Sequence, residues 1–425
     1  MPKKRETNVT QGITESNLQD VIKEVVSNTP ITDVHTHLYA PSFGNLLLWG
    51  IDELLTYHYL VAEFFRTTEM PYSQFWALSK REQANLIWQN LFVERSPISE
   101  ACRGVITVLH KLGLDTSSRD LNLYREWFQS QSLAEHVNRV FELANLKQVV
   151  MTNDPFDPVE RDYWHSSMEL DKRFLSSLRL DVLILKWAES VPMLQAWGYS
   201  VEPNLTEETL SEVRRFLSDW VQKIKPIYMA VSLPPSFEFP EHSTRGIILE
   251  QCILPVARYF NIPLALMIGV LRGVNPELKL AGDGVGRAEV RPVERLCEMF
   301  PQNKFMVTFL SRENTHSACV SARKFRNLMP FGCWWFLNNP SLIEEMTAMR
   351  LELLGTTFIP QHSDARVLEQ VIYKWAHTKQ VLIEVLKNKY LGLMHSGWKF
   401  TKDEIQKDVN NLLTNNFWRF IEVKF

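Results

Sequence analysis

Pro30-Ile31-Thr32-Asp33-Val34-His35-Thr36-His37-Leu38 is the stretch on which the fold turns. Its β-branched and apolar residues read as a strand over Ile31–His37. Side chains at i and i+2 of a strand share a face, so His35 and His37 project side by side. Neutral imidazole is a common metal ligand. A His-x-His pair at a strand end also suits solvated or core histidines, so the reading needs support from elsewhere in the chain. Gln361-His362-Ser363-Asp364-Ala365-Arg366, far downstream, follows another apolar run and offers a carboxylate.

Working outward from the first strand, seven further apolar runs are predicted as strands. They are Gln148–Asn153, Leu178–Ile184, Ile227–Leu233, Ile262–Gly269, Lys304–Leu310, Leu328–Trp335 and Thr356–Gln361. Amphipathic stretches lie between them: Glu207–Ile224, Ile247–Phe260, Ala288–Phe300, Asn314–Arg326, Ser341–Leu354 and Ala365–Asn388. Alternating strands and helices are βα units around a parallel sheet, and eight units predict a closed (β/α)8 TIM-like barrel of the α/β class. An open, doubly wound sheet is the structural alternative. Residues 39–147 break the rhythm. They are rich in apolar and aromatic residues at helical spacing, as in Ile51-Asp52-Glu53-Leu54-Leu55-Thr56-Tyr57-His58-Tyr59-Leu60-Val61. They are too apolar for disorder. We read residues 1–425 as one barrel domain, with 39–147 a large helical insertion after the first strand. It is expected to lie over the C-terminal mouth, where barrel active sites are built. Phe417-Trp418-Arg419-Phe420 is expected to be a helix docked by its aromatics.

Bulk properties narrow the function. The net charge of -3 creates no field to draw nucleic acid or an anionic membrane, and no basic stripe is interleaved with aromatics. Five scattered cysteines form no Cys-x-x-Cys pair and suit a reducing compartment. The polar N-terminus has no signal-peptide run, and Lys3-Lys4-Arg5 reads as a solvated tail. A cytoplasmic protein is expected. Gly282-Asp283-Gly284-Val285-Gly286 lacks the Lys-Ser/Thr of a phosphate loop and is expected to be a turn at the barrel rim. Trp334 and Trp335 are placed either at the mouth, stacking on a ligand, or in the core.

A His-x-His pair after a first strand and an Asp after an eighth resemble the amidohydrolase superfamily. Its hydrolytic members also bring Lys or Glu from the fourth strand and histidines from the fifth and sixth. Here those positions hold Ser232, Ile268-Gly269 and Ser311-Arg312, while His316 falls one turn into the next helix. One metal held by His35, His37 and Asp364 fits better than two. Nitrogen and oxygen donors suit Zn²⁺, with Mn²⁺ or Co²⁺ as alternatives.

Several longer blocks then match one branch. They are Thr32–Leu38, Asp52–Glu63, Met151-Thr152-Asn153-Asp154-Pro155-Phe156-Asp157, Leu178-Arg179-Leu180-Asp181, Phe331-Gly332-Cys333-Trp334-Trp335-Phe336 and Ile359–Arg366. On these blocks the chain closely resembles the bacterial uronate isomerases, the glucuronate isomerase branch of that superfamily. The resemblance implies aldose–ketose isomerisation of D-glucuronate to D-fructuronate and of D-galacturonate to D-tagaturonate. It implies a divalent metal on His35, His37 and Asp364, and a substrate carboxylate held by Arg179, whose guanidinium makes bidentate pairs. It places His58 and Trp375 against the sugar. Asp364, Arg366 and Tyr59 are the implied catalytic groups. Asp364 serves ring opening, Tyr59 or Asp364 takes the C2 proton, and Arg366 stabilises the enediolate. Tyr59 would need its pKa lowered from about 10 to act as a base, and Arg366 is the group expected to lower it. His58 and Tyr59 are adjacent, so both reach one site only at a helix end or an irregular turn. The expected partners are a small hexuronate and further copies of the chain, with neither nucleic acid nor membrane. A mononuclear metal-dependent hydrolase and an inactive sugar-acid binding protein are the alternatives.

Overall fold

The computed structural model describes residues 12–166 and 169–425. Lys3, Lys4 and Arg5 lie outside the described residues. Seven parallel strands form one curled sheet: β1 (Ile31–Thr36), β2 (Leu146–Asn153), β3 (Phe174–Arg179), β4 (Met229–Leu233), β5 (Leu264–Ile268), β8 (Phe305–Phe309) and β9 (Leu328–Pro330). The intervening β6 (Val270–Leu271) and β7 (Gly284–Val285) pair antiparallel as a separate ribbon, so the Gly282–Gly286 segment expected to be a turn supplies a short strand instead.

An eighth strand was expected over Thr356–Gln361. Residues 359–365 instead close the barrel through a pair of backbone hydrogen bonds on each side. Ile359 N–H donates to Pro330 O at 3.1 Å, and Gly332 N–H to Ile359 O at 2.9 Å. On the other flank Asp364 N–H donates to His35 O at 3.1 Å, and His37 N–H to Ala365 O at 2.7 Å. Pro360 has no N–H to give a ladder. The side-chain oxygen of Gln361 takes the place of a strand carbonyl, accepting from Cys333 N at 2.7 Å.

Residue alternation builds the barrel. In β4 and β5, Met229, Val231, Leu233, Leu264, Leu266 and Ile268 join the core beneath the helices. The alternate residues Ala230, Ala265 and Met267 join Val34, Val150, Met306, Phe331 and Ile359 in a separate inner cluster. That division is the period-2 pattern of strands buried on both faces. Phe417 and Phe420 from the helix Asn416–Glu422 complete the inner cluster, as the docked aromatic helix anticipated. Asn416 Nδ2 donates to Phe358 O at 2.9 Å, tying that helix to the closing segment.

Two other strand expectations need correction. The third strand was predicted over Leu178–Ile184. It ends at Arg179, and Asp181–Leu185 is a helical turn burying Leu183 and Ile184. Short apolar runs carry no periodicity that separates strand from helix. The seventh was predicted to reach Trp335 but stops at Pro330, followed by Gly332 at φ +66. The helix expected from Ala365 starts at Gln370. Between β1 and β2 the chain is helical, from Pro41–Leu46 to Leu133–Ala144. This insertion is stitched to the segment after Asp364. Leu368 N–H donates to Leu48 O at 2.9 Å, and Glu369 Oε1 accepts from Gly50 N at 3.0 Å and pairs with His136 Nε2 at 2.7 Å.

Candidate active site

His35 comes from the last turns of β1 and His37 lies just past it, where the β1–β2 register shifts between Asp33 and Thr36. Asp364 reaches them from the closing segment with a left-handed backbone, φ +53. His35 Nε2 lies 3.6 Å from Asp364 Oδ1, and His37 Nε2 3.4 Å from the same oxygen. Donors about 2.1 Å from a tetrahedral ion stand roughly 3.4 Å apart, so the spacing suits one ion between them.

The polar groups around the cluster fit that reading. Tyr228 Oη–H donates to Val34 O at 2.8 Å, leaving its oxygen to accept from His35 Nδ1 at 3.2 Å. That bond assigns the proton of His35 to Nδ1 and turns a lone pair on Nε2 toward Asp364. His35 Nε2 and Asp364 Oδ1 are both buried without a hydrogen-bond partner. Two acceptors facing each other in a dry site are costly unless a cation lies between them. Burial, with the charges of His362 and His37, holds His35 well below the usual imidazole range, so it is a neutral donor. Asp364 lies well below the usual carboxylate range, because burial, which would raise it, is outweighed by the adjacent His37, with His35 and Lys374. Among the described residues no other trio of His, Cys, Asp or Glu brings ligand atoms together in this way.

The cluster forms the floor of an open cleft whose walls include Tyr57, His58, Arg179, Asp181, Ser232, Arg272, Trp335 and Arg366. Arg179 ends β3, and its Nη2 is 2.6 Å from Asp181 Oδ2. Asp181 Oδ1 accepts from Ser232 N at 2.8 Å, which holds that pair against β4. Arg366 is exposed on the cleft wall and forms no ion pair among the described residues. His58 is the first residue of the helix His58–Phe64, preceded by Tyr57 in an extended conformation. This is the helix end that two neighbouring cleft residues require. The pair that faces the cleft is Tyr57 and His58, rather than His58 and Tyr59. Both ring nitrogens of His58 are buried without partners, and burial lowers its pKa to about 3. His58 is therefore neutral, with hydrogen-bonding capacity left open.

Three expectations meet a different arrangement. Tyr59 does not line the cleft, and burial raises its hydroxyl well above 10, reinforced by Tyr57 and Asp364. The lowering expected from Arg366 does not prevail, because burial dominates at Tyr59. Trp375 is 2% exposed and faces away from the cleft; its indole N–H donates to Asp33 Oδ2 at 2.8 Å. His316 is exposed on the helix Asn314–Ala322, outside the site, in agreement with the sequence reading that placed it in the helix after the sixth strand. Sequence reasoning missed Tyr228, Tyr57 and Arg272. The inward alternation Tyr228-x-Ala230-x-Ser232 is the signal that would have exposed Tyr228. Arg272 reaches the cleft only through the β6–β7 ribbon, which has no local signature.

A curled parallel sheet with histidines at and just past the end of its first strand, and an aspartate in the segment that closes it, marks a barrel enzyme with a candidate metal site. Its solved neighbours narrow the class. A crystal structure of a uronate isomerase from Bacillus halodurans C-125 superposes with a TM-score of 0.95 at 55% identity, covering 96% of this chain and 97% of that one. A uronate isomerase from Thermotoga maritima (TM-score 0.77, 16% identity, covering 96% and 99%) shares the fold. So does a glucuronate isomerase from Caulobacter crescentus (TM-score 0.76, 12% identity, covering 99% and 97%). No protein-family model and no curated protein matches the chain. The chain belongs to the uronate isomerase family.

Proposed function

We propose that the protein interconverts D-glucuronate with D-fructuronate and D-galacturonate with D-tagaturonate. The observation that carries this reading is near-full-length likeness to a uronate isomerase, at 55% identity. The cleft agrees with it, because guanidinium groups for a sugar acid share its walls with the His35–His37–Asp364 cluster. The same cleft lacks the further fourth- to sixth-strand ligands of a two-metal hydrolase; Ser232 and Met267 stand there instead. In this reading the chain is one barrel domain, and helices of residues 39–147 roof its mouth.

The bound group is one divalent ion, zinc by its two nitrogens and one oxygen, with manganese or cobalt as substitutes. It would supply a Lewis acid to a sugar oxygen. The residues do the rest. Arg179, steadied by Asp181, orients the C6 carboxylate. His58, neutral and unpartnered, bonds a sugar hydroxyl. For ring opening, a proton leaves the anomeric hydroxyl and one arrives at the ring oxygen, with Asp364 as the relay. In the open chain a proton leaves C2 and is returned to C1 through a cis-enediol, while the hydroxyl proton on O2 is exchanged for one on O1. Hydrogen and electron counts are unchanged, so no redox partner is required. Both oxygens of Asp181 are occupied, and Asp364 Oδ1 faces the ion position beside the histidines, which leaves the second oxygen of Asp364 as the free carboxylate oxygen of the cleft. Asp364 is therefore assigned the C2 proton. Tyr59, kept protonated by its burial, supports the roof from behind His58. Arg366, free of ion pairs among the described residues, stabilises the enediolate.

All five cysteines are free and buried, which supports the cytoplasm as the site of action. Among the described residues no helix is long and apolar enough to cross a membrane. Self-association is part of the proposal, and sedimentation equilibrium measures it.

Incubation with each uronate and added Zn²⁺, followed by ketose detection, tests the activity; no ketose from either sugar would sink it. Carrying out the reaction in D₂O tests the proton route. Deuterium at C1 of the product is expected, and its absence over many turnovers would favour a hydride shift.

A further inference from the structure

We propose that Lys374 and Asp33, neither of which lines the cleft, are positioning residues that aim the Asp364 carboxylate at the metal site. The inference rests on the metal reading above. It starts from the backbone of Asp364, whose φ of +53 is unfavourable for a residue with a Cβ. Such a conformation persists only where its surroundings over-determine it.

The peptide groups on both sides of Ser363 are pinned. Ser363 N–H donates to Asp33 Oδ1 at 2.9 Å. Ser363 O, which belongs to the peptide leading into Asp364, accepts from Lys374 Nζ at 2.6 Å and from Asn338 Nδ2 at 3.0 Å. The N–H of that same peptide donates to His35 O. Asp33 is itself oriented from behind, because its Oδ2 accepts the Trp375 indole at 2.8 Å. Residues 374 and 375 head the long helix Gln370–His395, so one rigid element holds both ends of the clamp. This also explains Trp375, which acts on the site through Asp33.

Lys374 is not an ordinary packing residue. It is 3% exposed, and among the described residues it forms no ion pair. Burying an ammonium with one hydrogen bond is costly. Burial holds its pKa below the usual lysine value, against the opposing fields of Asp364, Asp33 and Glu100, and the Tyr59 ring lies 5.6 Å from Nζ. The amine is thus fixed on the peptide that leads into Asp364, through its bond to Ser363 O. Partners beyond the ligands of a metal commonly set ligand orientation, and their loss weakens metal binding about 10- to 100-fold.

The experiment is Zn²⁺ binding measured against a chromogenic chelator, on wild type, Lys374→Met, Asp33→Asn and His35→Asn. His35→Asn should lose tight binding. Lys374→Met and Asp33→Asn should each weaken Zn²⁺ about 10- to 100-fold, with KM for the uronate unchanged once Zn²⁺ saturates. The amide of Asp33→Asn offers one acceptor oxygen where the carboxylate served two donors. Being isosteric, it decides the matter even where Lys374→Met does not fold. Zn²⁺ affinity within about threefold of wild type in Asp33→Asn, with His35→Asn impaired, overturns the positioning role and leaves the metal site standing. Equal binding by wild type and His35→Asn overturns the metal reading, and this inference with it.

Discussion

A methyl group at Gly332 would land 1.9 Å from Cδ2 of His362. The backbone there has φ +66, so even alanine is strained before it meets the ring. His362 is fully buried beside His35, with ring centroids 5.1 Å apart, and has nowhere to retreat. Gly332→Ala should therefore cost about 2–4 kcal/mol of stability, combining left-handed strain with overpacking; a urea-denaturation midpoint measures it. Glu160 makes a second case at the level of one side chain. It accepts from Asn153, Asp154, Trp164 and Tyr39, yet its burial raises its pKa to about 7. A carboxyl with a raised folded pKa holds a proton that the unfolded chain has already released. Its contribution is therefore complete below the unfolded value and declines as pH rises through about 7. Between pH 5 and 7 that single group should reduce stability by up to roughly 1.4 kcal/mol per pH unit. Glu160→Gln removes its share of the slope, which denaturation midpoints at pH 5 and pH 8 would reveal as a shrinking gap between wild type and variant.

At the level of elements, helices were easier to place than strands. The helix predicted over Glu207–Ile224 has those limits in the structure, because Thr206 caps it by accepting from Thr209 N and its apolar stripe runs the whole length. The third strand slipped by several residues, since Leu180-Asp181-Val182-Leu183-Ile184 is apolar enough for either state. Its carboxylate at Asp181 prefers the start of a helical turn, where Oδ1 also reaches Ser232 N. The closing segment was harder still. Its bonds are divided among Pro330, Gly332, His35 and His37, and the Gln361 side chain stands in for part of a ladder. The C-terminal helix is an element whose job is packing. Phe417 is 1% exposed and lies against Tyr228 at 6.4 Å between ring centroids. Phe417→Ala should lower stability by about 3–5 kcal/mol through the cavity it leaves, with KM for the uronate unchanged; thermal melting and initial-rate kinetics measure the two separately.

At the level of the molecule, the His35–His37–Asp364 cluster joins chain segments more than three hundred residues apart, so an ion bound there would be a cross-link of the folded state. Anything that binds the native form alone stabilises it by mass action. A chelator should lower the melting temperature of the wild type and leave His35→Asn unmoved, as read by calorimetry. The sequence was informative wherever residue type alone restricts the chemistry. The paired histidines of β1, the βα alternation and the Asp364 block led to a barrel with one metal site, and Arg179 and His58 do stand on the cleft wall. These are local patterns, set by strand periodicity and by the donor atoms of particular side chains. The sequence was silent where long-range packing chooses among equivalent local options. Nothing local says that Trp375 turns inward to Asp33, that Tyr57 rather than Tyr59 faces the cleft, that Tyr228 sets the tautomer of His35, or that Lys374 bonds the peptide leading into Asp364. Each depends on which distant group lies within hydrogen-bond reach once the barrel closes, and closure is a property of the whole chain.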